Sequence, residues 1–227
     1  MEYFRRIEQK YILTKKEFDI VTKEIKEYVD QDKYYRSSIC SVYFDSDNND
    51  LIINSIDGSI FKEKIRIRSY GLVNNNDKIF LELKKKFKGV TYKKRVTMTL
   101  KEFWNYYDNR IIPESCKNLA MKEIDYCFNK YDLSPKMFIH YDRYSYIDKS
   151  DKSIRITFDY NLKYRNKNLN LNNDDDLKKI IDEDIYVMEI KTTDRIPLWF
   201  TNILSKLNLY PGNFSKYKEA YLNTLCL

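Results

Sequence analysis

The sequence predicts an α+β protein built on an eight-stranded antiparallel sheet, and three observations support this class. Eight short stretches alternate apolar with polar residues, and polar or turn residues bound each stretch. Consecutive stretches are often joined by short turns, which favours antiparallel pairing. The 21 tyrosines and 12 phenylalanines are typical of β-structure. Because about eight antiparallel strands close a barrel that holds one small ligand, we expect a β-barrel with helices packed outside.

In the first half of the chain, strands alternate with short helices. Thr14 followed by Glu17 forms a capping-box pattern, which predicts a helix from there to about residue 30. Thr99 followed by Glu102 repeats the pattern and predicts a helix to about residue 109. A short helical piece is expected at residues 49–56. The strands predicted in this half are residues 3–13, 38–45, 61–70, 79–88 and 91–99.

In the second half, Pro113 lies near the start of a predicted helix that extends to about residue 131. The segment 166–176 is rich in Asn and Asp, so we expect a surface loop there. The remaining predicted elements are strands at 137–147, 153–162 and 185–192 and helices at 197–207 and 214–225. No change of composition marks a linker, so we predict a single domain over residues 1–227.

Composition and charge exclude several classes of protein. With 4 glycines and 4 prolines, the chain is neither collagenous nor dominated by linkers. No apolar run approaches the ~18 residues of a membrane helix, and the N-terminal residues lack a signal-peptide core, so we expect a cytoplasmic protein. A single histidine, His140, argues against nucleophilic triads and zinc sites. The net charge of +7 indicates an anionic partner.

The polar faces of the predicted strands are mostly cationic. Because side chains alternate across a strand, every second residue shares a face. The residues placed on such faces are Arg6, Glu8, Lys10, Lys62, Lys64, Arg66, Arg68, Glu82, Lys84, Lys86, Lys88, Lys93, Arg95, Arg155, Asp159, Glu189 and Lys191. A solvated face explains each strand taken alone. Taken together, these faces favour the lining of a barrel that binds a polyanion, since Arg and Lys suit phosphate.

A few acidic residues lie on the same faces, namely Glu8, Glu82, Asp159 and Glu189. Carboxylate oxygens suit Mg²⁺ or Mn²⁺ that bridges phosphate oxygens, so these residues are candidate metal ligands. Lys93, Lys94 and Arg95 follow one another, and the alternation does not decide which of them points inward.

Eight short motifs occur in order along the chain: RIEQKY (6–11), VYFD (42–45), KIRIRSY (64–70), LELK (81–84), YDR (141–143), IRITFD (154–159), MEIK (188–191) and SKY (215–217). This ordered set resembles the VTC domain, the polyphosphate polymerase branch of the triphosphate tunnel metalloenzyme (CYTH-like) superfamily. The resemblance implies an eight-stranded antiparallel tunnel with a basic interior. It also implies transfer of the γ-phosphoryl group of ATP to a growing polyphosphate chain, with Mn²⁺ or Mg²⁺.

The resemblance implies roles for individual residues. The catalytic residues would be Arg66, Arg68, Arg143, Lys216 and Glu189. The substrate-binding residues would be Lys10, Lys84, Arg155, Lys191, Arg95 and Lys64. Glu189 would also bind the metal, with Glu8 as a second candidate that could instead pair with neighbouring cations. Arg6 stands where the wider superfamily has its first carboxylate, which leaves a second metal site open.

The partners that the resemblance implies are ATP, polyphosphate and a pyrophosphate or phosphate primer, and not nucleic acid. A separate membrane protein that associates with the chain is a further implied partner. Three alternatives remain open: a tripolyphosphatase that uses water as the nucleophile, a non-catalytic polyphosphate or inositol-phosphate binding module, and a basic sheet that binds nucleic acid. The SKY motif at 215–217 favours the polymerase over the hydrolase.

Overall fold

The computed structural model describes residues 7–88 and 90–225. The strands assigned in these residues are β1 (Ile7–Thr14), β2 (Val29–Asp45), β3 (Phe61–Tyr70), β4 (Lys78–Phe87), β5 (Val90–Thr99), β6 (Ser134–Asp148), β7 (Arg155–Arg165), β8 (Lys178–Lys179) and β9 (Ile185–Thr192). The α-helices are α1 (Lys15–Glu24), α2 (Asp50–Ile56), α3 (Leu100–Asn109), α4 (Leu119–Tyr131), α5 (Leu198–Lys206) and α6 (Lys216–Leu225). Two 3₁₀ helices cover Ile25–Glu27 and Glu114–Cys116.

Hydrogen bonds join the strands in the order β1-β9-β7-β6-β2-β3-β4-β5, and the short β8 pairs with β7. Every pair whose register is described is antiparallel, from β1 with β9 to β4 with β5. An α+β chain with eight principal antiparallel strands was the expectation, and this content is confirmed. No helix in the described part of the chain is long and apolar enough to cross a membrane.

The chain divides into two compact units, which we call unit 1 and unit 2. Among the described residues, unit 1 comprises 7–38, 141–162 and 181–215. Unit 2 comprises the described residues of 39–140, 163–180 and 216–225. The single domain expected over residues 1–227 stays a prediction.

In unit 1, apolar side chains on one face of the strands pack against α1 and α5. Thr14 and Glu17 form the predicted capping box, in which each side chain accepts a hydrogen bond from the other residue's backbone N–H. Phe18 of α1 then stacks on Tyr186 of β9, with ring centroids 3.9 Å apart. Phe200 of α5 is fully buried in the same core. The helices therefore cover the apolar face of these strands, and the polar side chains alternate onto the opposite face.

In unit 2, α3 and α4 cover the apolar face of β3, β4 and β5. The Thr99–Glu102 capping box starts α3, as predicted. Phe103 of α3 and Phe128 of α4 are fully buried and contact the same core as the strand residues Ile65, Ile67 and Leu81. The polar residues that alternate with these strand residues lie on the other face.

Several predicted boundaries were wrong. The helix α1 ends at Glu24, and β2 already begins at Val29 although we predicted a strand from residue 38. Most of residues 30–37 are polar and exposed or half-buried, so no apolar alternation marks them as a strand. Pro113 precedes a 3₁₀ turn, whereas α4 begins later, where the Asn118 side chain accepts from Met121 N at 2.9 Å. The predicted strand start at residues 3–6 lies outside the described residues.

The segment 166–176 follows β7 and has no strand or helix, as expected for a loop. It is nevertheless anchored, because Leu171 is fully buried and its carbonyl accepts from Val73 N at 3.0 Å. Arg165 is buried and donates to the carbonyl oxygens of Asn168, Asn170 and Asp175. These bonds give the loop a fixed shape despite its polar sequence.

Candidate functional site

The polar faces of β3, β4 and β5 form an ordered array of cations in unit 2. Strand register aligns the side chains in rows that run across the three strands. The rows are the glutamate row (Arg66, Glu82 and Arg95), the inner lysine row (Lys64, Lys84 and Lys93) and the outer lysine row (Lys62 and Lys86). Arg68 lies on β3 beside the glutamate row, opposite Phe80. Successive rows are two residues apart, or about 6.8 Å.

One buried carboxylate, Glu82, binds four cations on this face. Arg66 donates to Oε2 through Nε at 3.0 Å and Nη2 at 2.8 Å. Arg95 donates to Oε1 through Nε at 2.8 Å and Nη2 at 2.7 Å. Lys93 Nζ and Arg68 Nη2 lie 2.8 and 3.3 Å from the same oxygen. Four positive charges against one negative charge leave this group of five side chains with a net charge of +3.

Burial and the neighbouring charges shift the pKa values of Glu82 and Lys93. Burial by itself favours neutral Glu82, but the charges of Arg66, Arg68 and Lys93 outweigh it and hold the pKa of Glu82 well below its usual range. Burial lowers the pKa of Lys93 to about 8. The charge of Glu82 raises this pKa, whereas the charges of Arg68 and Arg95 lower it further. The four cations of this group outnumber its one carboxylate, so an anionic ligand would add counter-charge here.

Aromatic residues fix the arginine side chains. Tyr43 on β2 accepts from Arg66 Nη1 at 2.9 Å and stacks on Tyr217 with ring centroids 4.6 Å apart. Tyr217 donates to Asp45 at 3.0 Å, and fully buried Asp45 also accepts from two backbone N–H groups of α2. These contacts hold the start of α6, whose first residue is the predicted site residue Lys216. Residues 215–217 therefore carry a structural tyrosine beside a candidate phosphate-binding lysine.

On the polar face of unit 1, acidic and basic residues alternate between β1 and β9. Glu8 lies opposite Lys191, and Lys10 lies opposite Glu189. Lys191 Nζ lies 2.9 Å from Glu189 Oε2, and Lys10 Nζ donates to the carbonyl oxygen of Phe214 at 2.9 Å. Burial opposes ionisation of Glu189, but a hydrogen bond with Glu8 and the charges of Lys191 and Lys10 hold its pKa below the usual range.

Two arginines complete this face, each paired with a carboxylate. Arg143 on β6 donates to both oxygens of buried Asp159, from Nε at 2.5 Å and from Nη2 at 2.8 Å. Burial favours neutral Arg143, but Asp159 keeps the pKa of that guanidinium above its ordinary value. Arg155 is half exposed and lies 2.6 Å from Asp32 on β2. Unit 1 thus offers a face of nearly balanced charge, unlike the cationic face of unit 2.

The sequence assigned these side chains to the correct faces, and the structure adds their partners. Lys93 and Arg95 share the face of Glu82, whereas Lys94 lies on the other face, 3.8 Å from Glu123. Glu82 and Asp159, which we considered as metal ligands, form ion pairs with Arg66 and Arg143. Tyr43, Asp45 and Asp32 were not predicted as supporting residues. The VYFD motif at 42–45 contains the first two, and no local signal marks the third.

The family model of the VTC domain matches residues 5–225 of this chain. The chain belongs to the VTC domain family. This membership agrees with the resemblance that the motifs indicated, which extends to the triphosphate tunnel metalloenzyme superfamily. No curated protein is similar enough in sequence to match the chain.

Solved structures share the fold of this VTC domain. A proposed adenylate cyclase from Bacillus halodurans has a TM-score of 0.58 and 14% identity, with 92% of this chain and 93% of that chain covered. The proposed adenylyl cyclase HpAC1 from Hippeastrum, described as having a dominant triphosphatase activity, has a TM-score of 0.55 and 14% identity. That match covers 93% of each chain. At these identities the likeness concerns the fold alone, and it supports the predicted α+β class with an antiparallel sheet.

The superfamily implies a divalent metal ion, and the carboxylates of unit 1 fit one. Glu8 on β1 and Glu189 on β9 lie on the same face of two neighbouring strands, two residues apart in the register. Their carboxylate oxygens are ligands of the kind that Mg²⁺ and Mn²⁺ prefer. Among residues 7–88 and 90–225, no group of three or more His, Cys, Asp or Glu side chains forms a metal cage. The two carboxylates of Glu8 and Glu189 are nevertheless enough, because Mg²⁺ and Mn²⁺ are often bound by one or two carboxylates of the protein together with phosphate oxygens of the substrate.

Proposed function

We propose that this VTC domain is a polyphosphate polymerase that transfers the γ-phosphoryl group of ATP to the end of a polyphosphate chain. The observation that carries the proposal is the convergence of Arg66, Arg68, Lys93 and Arg95 on the single carboxylate of Glu82. Phosphoryl transfer needs positioning and neutralisation of charge more than a covalent nucleophile, and fixed cations provide both. The family membership supports triphosphate-type substrates for this face.

In the proposed reaction, a terminal oxygen of the acceptor phosphate attacks the γ-phosphorus of ATP. A new P–O bond forms, the bond between the γ-phosphorus and the β,γ-bridging oxygen breaks, and ADP leaves with the electron pair. The acceptor oxygen is already anionic, so no strong general base is required. This agrees with a chain that contains one histidine.

The proposed roles divide the basic residues into two groups. Arginines neutralise the phosphoryl oxygens on which charge is spread during transfer, because their planar donors match phosphate. This group contains Arg66, Arg68, Arg95, Arg143 and Arg155. Lysines hold the remaining phosphates and the acceptor end as point charges. This group contains Lys10, Lys64, Lys84, Lys191 and Lys216.

Glu189 would hold the divalent metal with Glu8 as its partner. When bound, Mn²⁺ or Mg²⁺ neutralises charge on the phosphate oxygens. The hydrogen bond with Glu8 and the charges of Lys191 and Lys10 hold the pKa of Glu189 below its usual range, so its carboxylate is ionised without the metal. ATP, polyphosphate and a pyrophosphate or phosphate primer are the proposed partners, in the cytoplasm and beside a separate membrane protein.

The test uses purified protein, γ-labelled ATP and Mn²⁺, with and without pyrophosphate, on a gel that resolves polyphosphate. We expect a ladder of labelled chains that an exopolyphosphatase removes. Glu189→Gln should abolish metal-dependent turnover while part of the triphosphate binding persists. Glu27→Gln, a substitution of an exposed residue of unit 1, serves as the matched control. Unchanged turnover in Glu189→Gln would remove this residue from its proposed role.

A tripolyphosphatase is the second candidate, and the triphosphatase activity named for the Hippeastrum protein of similar fold favours it. The same cations would then bind tripolyphosphate while water attacks. Released orthophosphate without chains, rising when tripolyphosphate is added, would identify this activity. Neither product, despite measurable triphosphate binding, would favour a non-catalytic binding module.

A further inference from the structure

The cationic face of unit 2 extends beyond the residues that the proposed transfer reaction uses. The next row is the outer lysine row, in which Lys62 and Lys86 lie directly opposite each other on β3 and β4. Lys88 follows two residues after Lys86, and these three lysines line a surface cavity of about 330 Å³. The remaining lining residues are Gly58, Ser59 and Ile60, which connect α2 to β3.

Like charges directly opposite each other in a sheet are destabilising, and this face repeats them in consecutive rows. The inner lysine row contains three lysines, and the outer lysine row adds two more. In the described residues of β3, β4 and β5, Glu82 is the only acidic residue on this face. Glu82 and Lys86 are four residues apart, about 14 Å, which exceeds the Debye length of ~8 Å at physiological salt. Glu82 therefore cannot balance the charge of the outer row.

The side chains of the outer row are accessible to a ligand. Lys86 and Lys88 are exposed, and Lys62 is half-buried with its Nζ donating to the carbonyl oxygen of Ser55 at 3.1 Å. The aromatic residues of these strand ends, Phe61 and Phe87, alternate onto the opposite face. A lysine cavity without aromatic lining suits a backbone of phosphates and lacks the stacking surface that single-stranded nucleic acids use.

We propose that Lys62, Lys86 and Lys88 form a subsite for the distal part of a linear polyphosphate chain. The inference rests on the proposed function, because it takes the glutamate row as the place where the reacting phosphates bind. A triphosphate at the glutamate and inner lysine rows does not need this subsite. A longer chain that follows the same strands reaches it, so the subsite distinguishes long chains from short ones.

The experiment measures the binding of tripolyphosphate and of long-chain polyphosphate to the full chain by titration calorimetry. The variant carries Lys62→Gln, Lys86→Gln and Lys88→Gln together. The matched control carries Lys101→Gln, Lys122→Gln and Lys167→Gln, three exposed lysines of unit 2 that lie on α3, on α4 and in the 166–176 loop. Both proteins lose the same net charge. Circular dichroism confirms that each is folded.

We expect the outer-row variant to bind tripolyphosphate like the wild type and to bind long chains about tenfold more weakly at low salt, with a shallower salt dependence. The control should bind both ligands nearly as the wild type does. Equal affinity of the variant and the control for long chains would overturn the inference. A wild-type protein that binds neither ligand would instead refute the proposed function.

A single-stranded oligonucleotide of similar length provides the remaining comparison. Polyphosphate should depend on the three lysines more strongly than the oligonucleotide does. If the oligonucleotide lost as much affinity in the outer-row variant, the row would be a general polyanion surface and the proposal would be wrong.

Discussion

Replacing Glu82 by glutamine removes the negative charge on which four cations of unit 2 converge. The side chain of Glu82 is 3% exposed, and those of Arg68 and Arg66 are 8% and 21% exposed. Removing one partner of a buried ion pair costs about 3–5 kcal/mol because it leaves uncompensated buried charge. Arg95 and Lys93 are 40% and 43% exposed, so their ion pairs add only about 0–1 kcal/mol each.

We therefore expect Glu82→Gln to lower the free energy of unfolding by about 3–5 kcal/mol. For a chain of this size, that loss corresponds to a melting temperature lower by roughly 6–20 °C. Glu123→Gln is the matched control, because Glu123 is 37% exposed and forms pairs with Lys85 and Lys94 at 3.2 and 3.8 Å. It should cost about 1 kcal/mol or less.

The assay is thermal and urea unfolding of both variants, with and without tripolyphosphate. The anion supplies the charge that Glu82→Gln removes, so tripolyphosphate should raise the melting temperature of this variant more than that of the wild type. The folded-state pKa of Glu82 lies below its usual value of 4.5, so its contribution is fully present above pH 4.5 and is lost as pH falls through the folded pKa. A loss no larger than that of Glu123→Gln, or equal stabilisation by tripolyphosphate, would refute this reasoning.

Three further predictions concern single residues. Lys93 has a pKa of about 8, so the affinity for tripolyphosphate should fall as the pH rises through that value and Lys93 loses its charge. Binding titrations from about pH 7 to 9 test this, and Lys93→Arg should remove the pH dependence because arginine keeps its charge. Tyr217→Phe removes the hydrogen bond to buried Asp45 and should cost about 1.5–3 kcal/mol in urea unfolding, whereas a cost near zero would contradict the assigned contact. Arg165→Met removes three hydrogen bonds to backbone carbonyl oxygens, so amide hydrogen exchange in residues 166–177 should become faster. Unchanged exchange there would show that other contacts hold the loop.

The faces of the strands were predictable because side-chain direction in a strand follows residue parity. Lys64, Arg66 and Arg68 share a face in β3 for that reason alone, whatever their neighbours are. The first part of β2 was missed because its residues are polar and exposed, so the apolar alternation that marks a strand is absent. Pattern reasoning detects an element through its buried face, and this stretch buries little.

The rows across the strands were not predictable, because register depends on the backbone pairing of separate segments. The inner lysine row exists because Lys64 pairs with Lys84 and Lys84 with Lys93, and a shift of one residue would move each side chain to the other face. The contact between Tyr217 and Asp45 joins residues 172 positions apart. No local pattern relates such residues, so only the fold identifies the tyrosine as a support for the start of α6.

Polymerase and hydrolase chemistry place the same demand on the cations around the γ-phosphate, since both spread charge over its oxygens. They differ in the nucleophile. Water is neutral, so a hydrolase needs no cation to bind its nucleophile. The anionic end of a polyphosphate chain repels the phosphate that it attacks, so a polymerase needs cations that neutralise the bound chain. A hydrolase that cleaves a triphosphate therefore gains nothing from a lysine row beyond the reacting phosphates, and like charges opposite each other in a sheet are destabilising. In the outer lysine row, Lys62 and Lys86 repel each other, which lowers the stability of the fold. The proposed polymerase activity accounts for this row, because a bound polyphosphate chain would supply negative charge beside it.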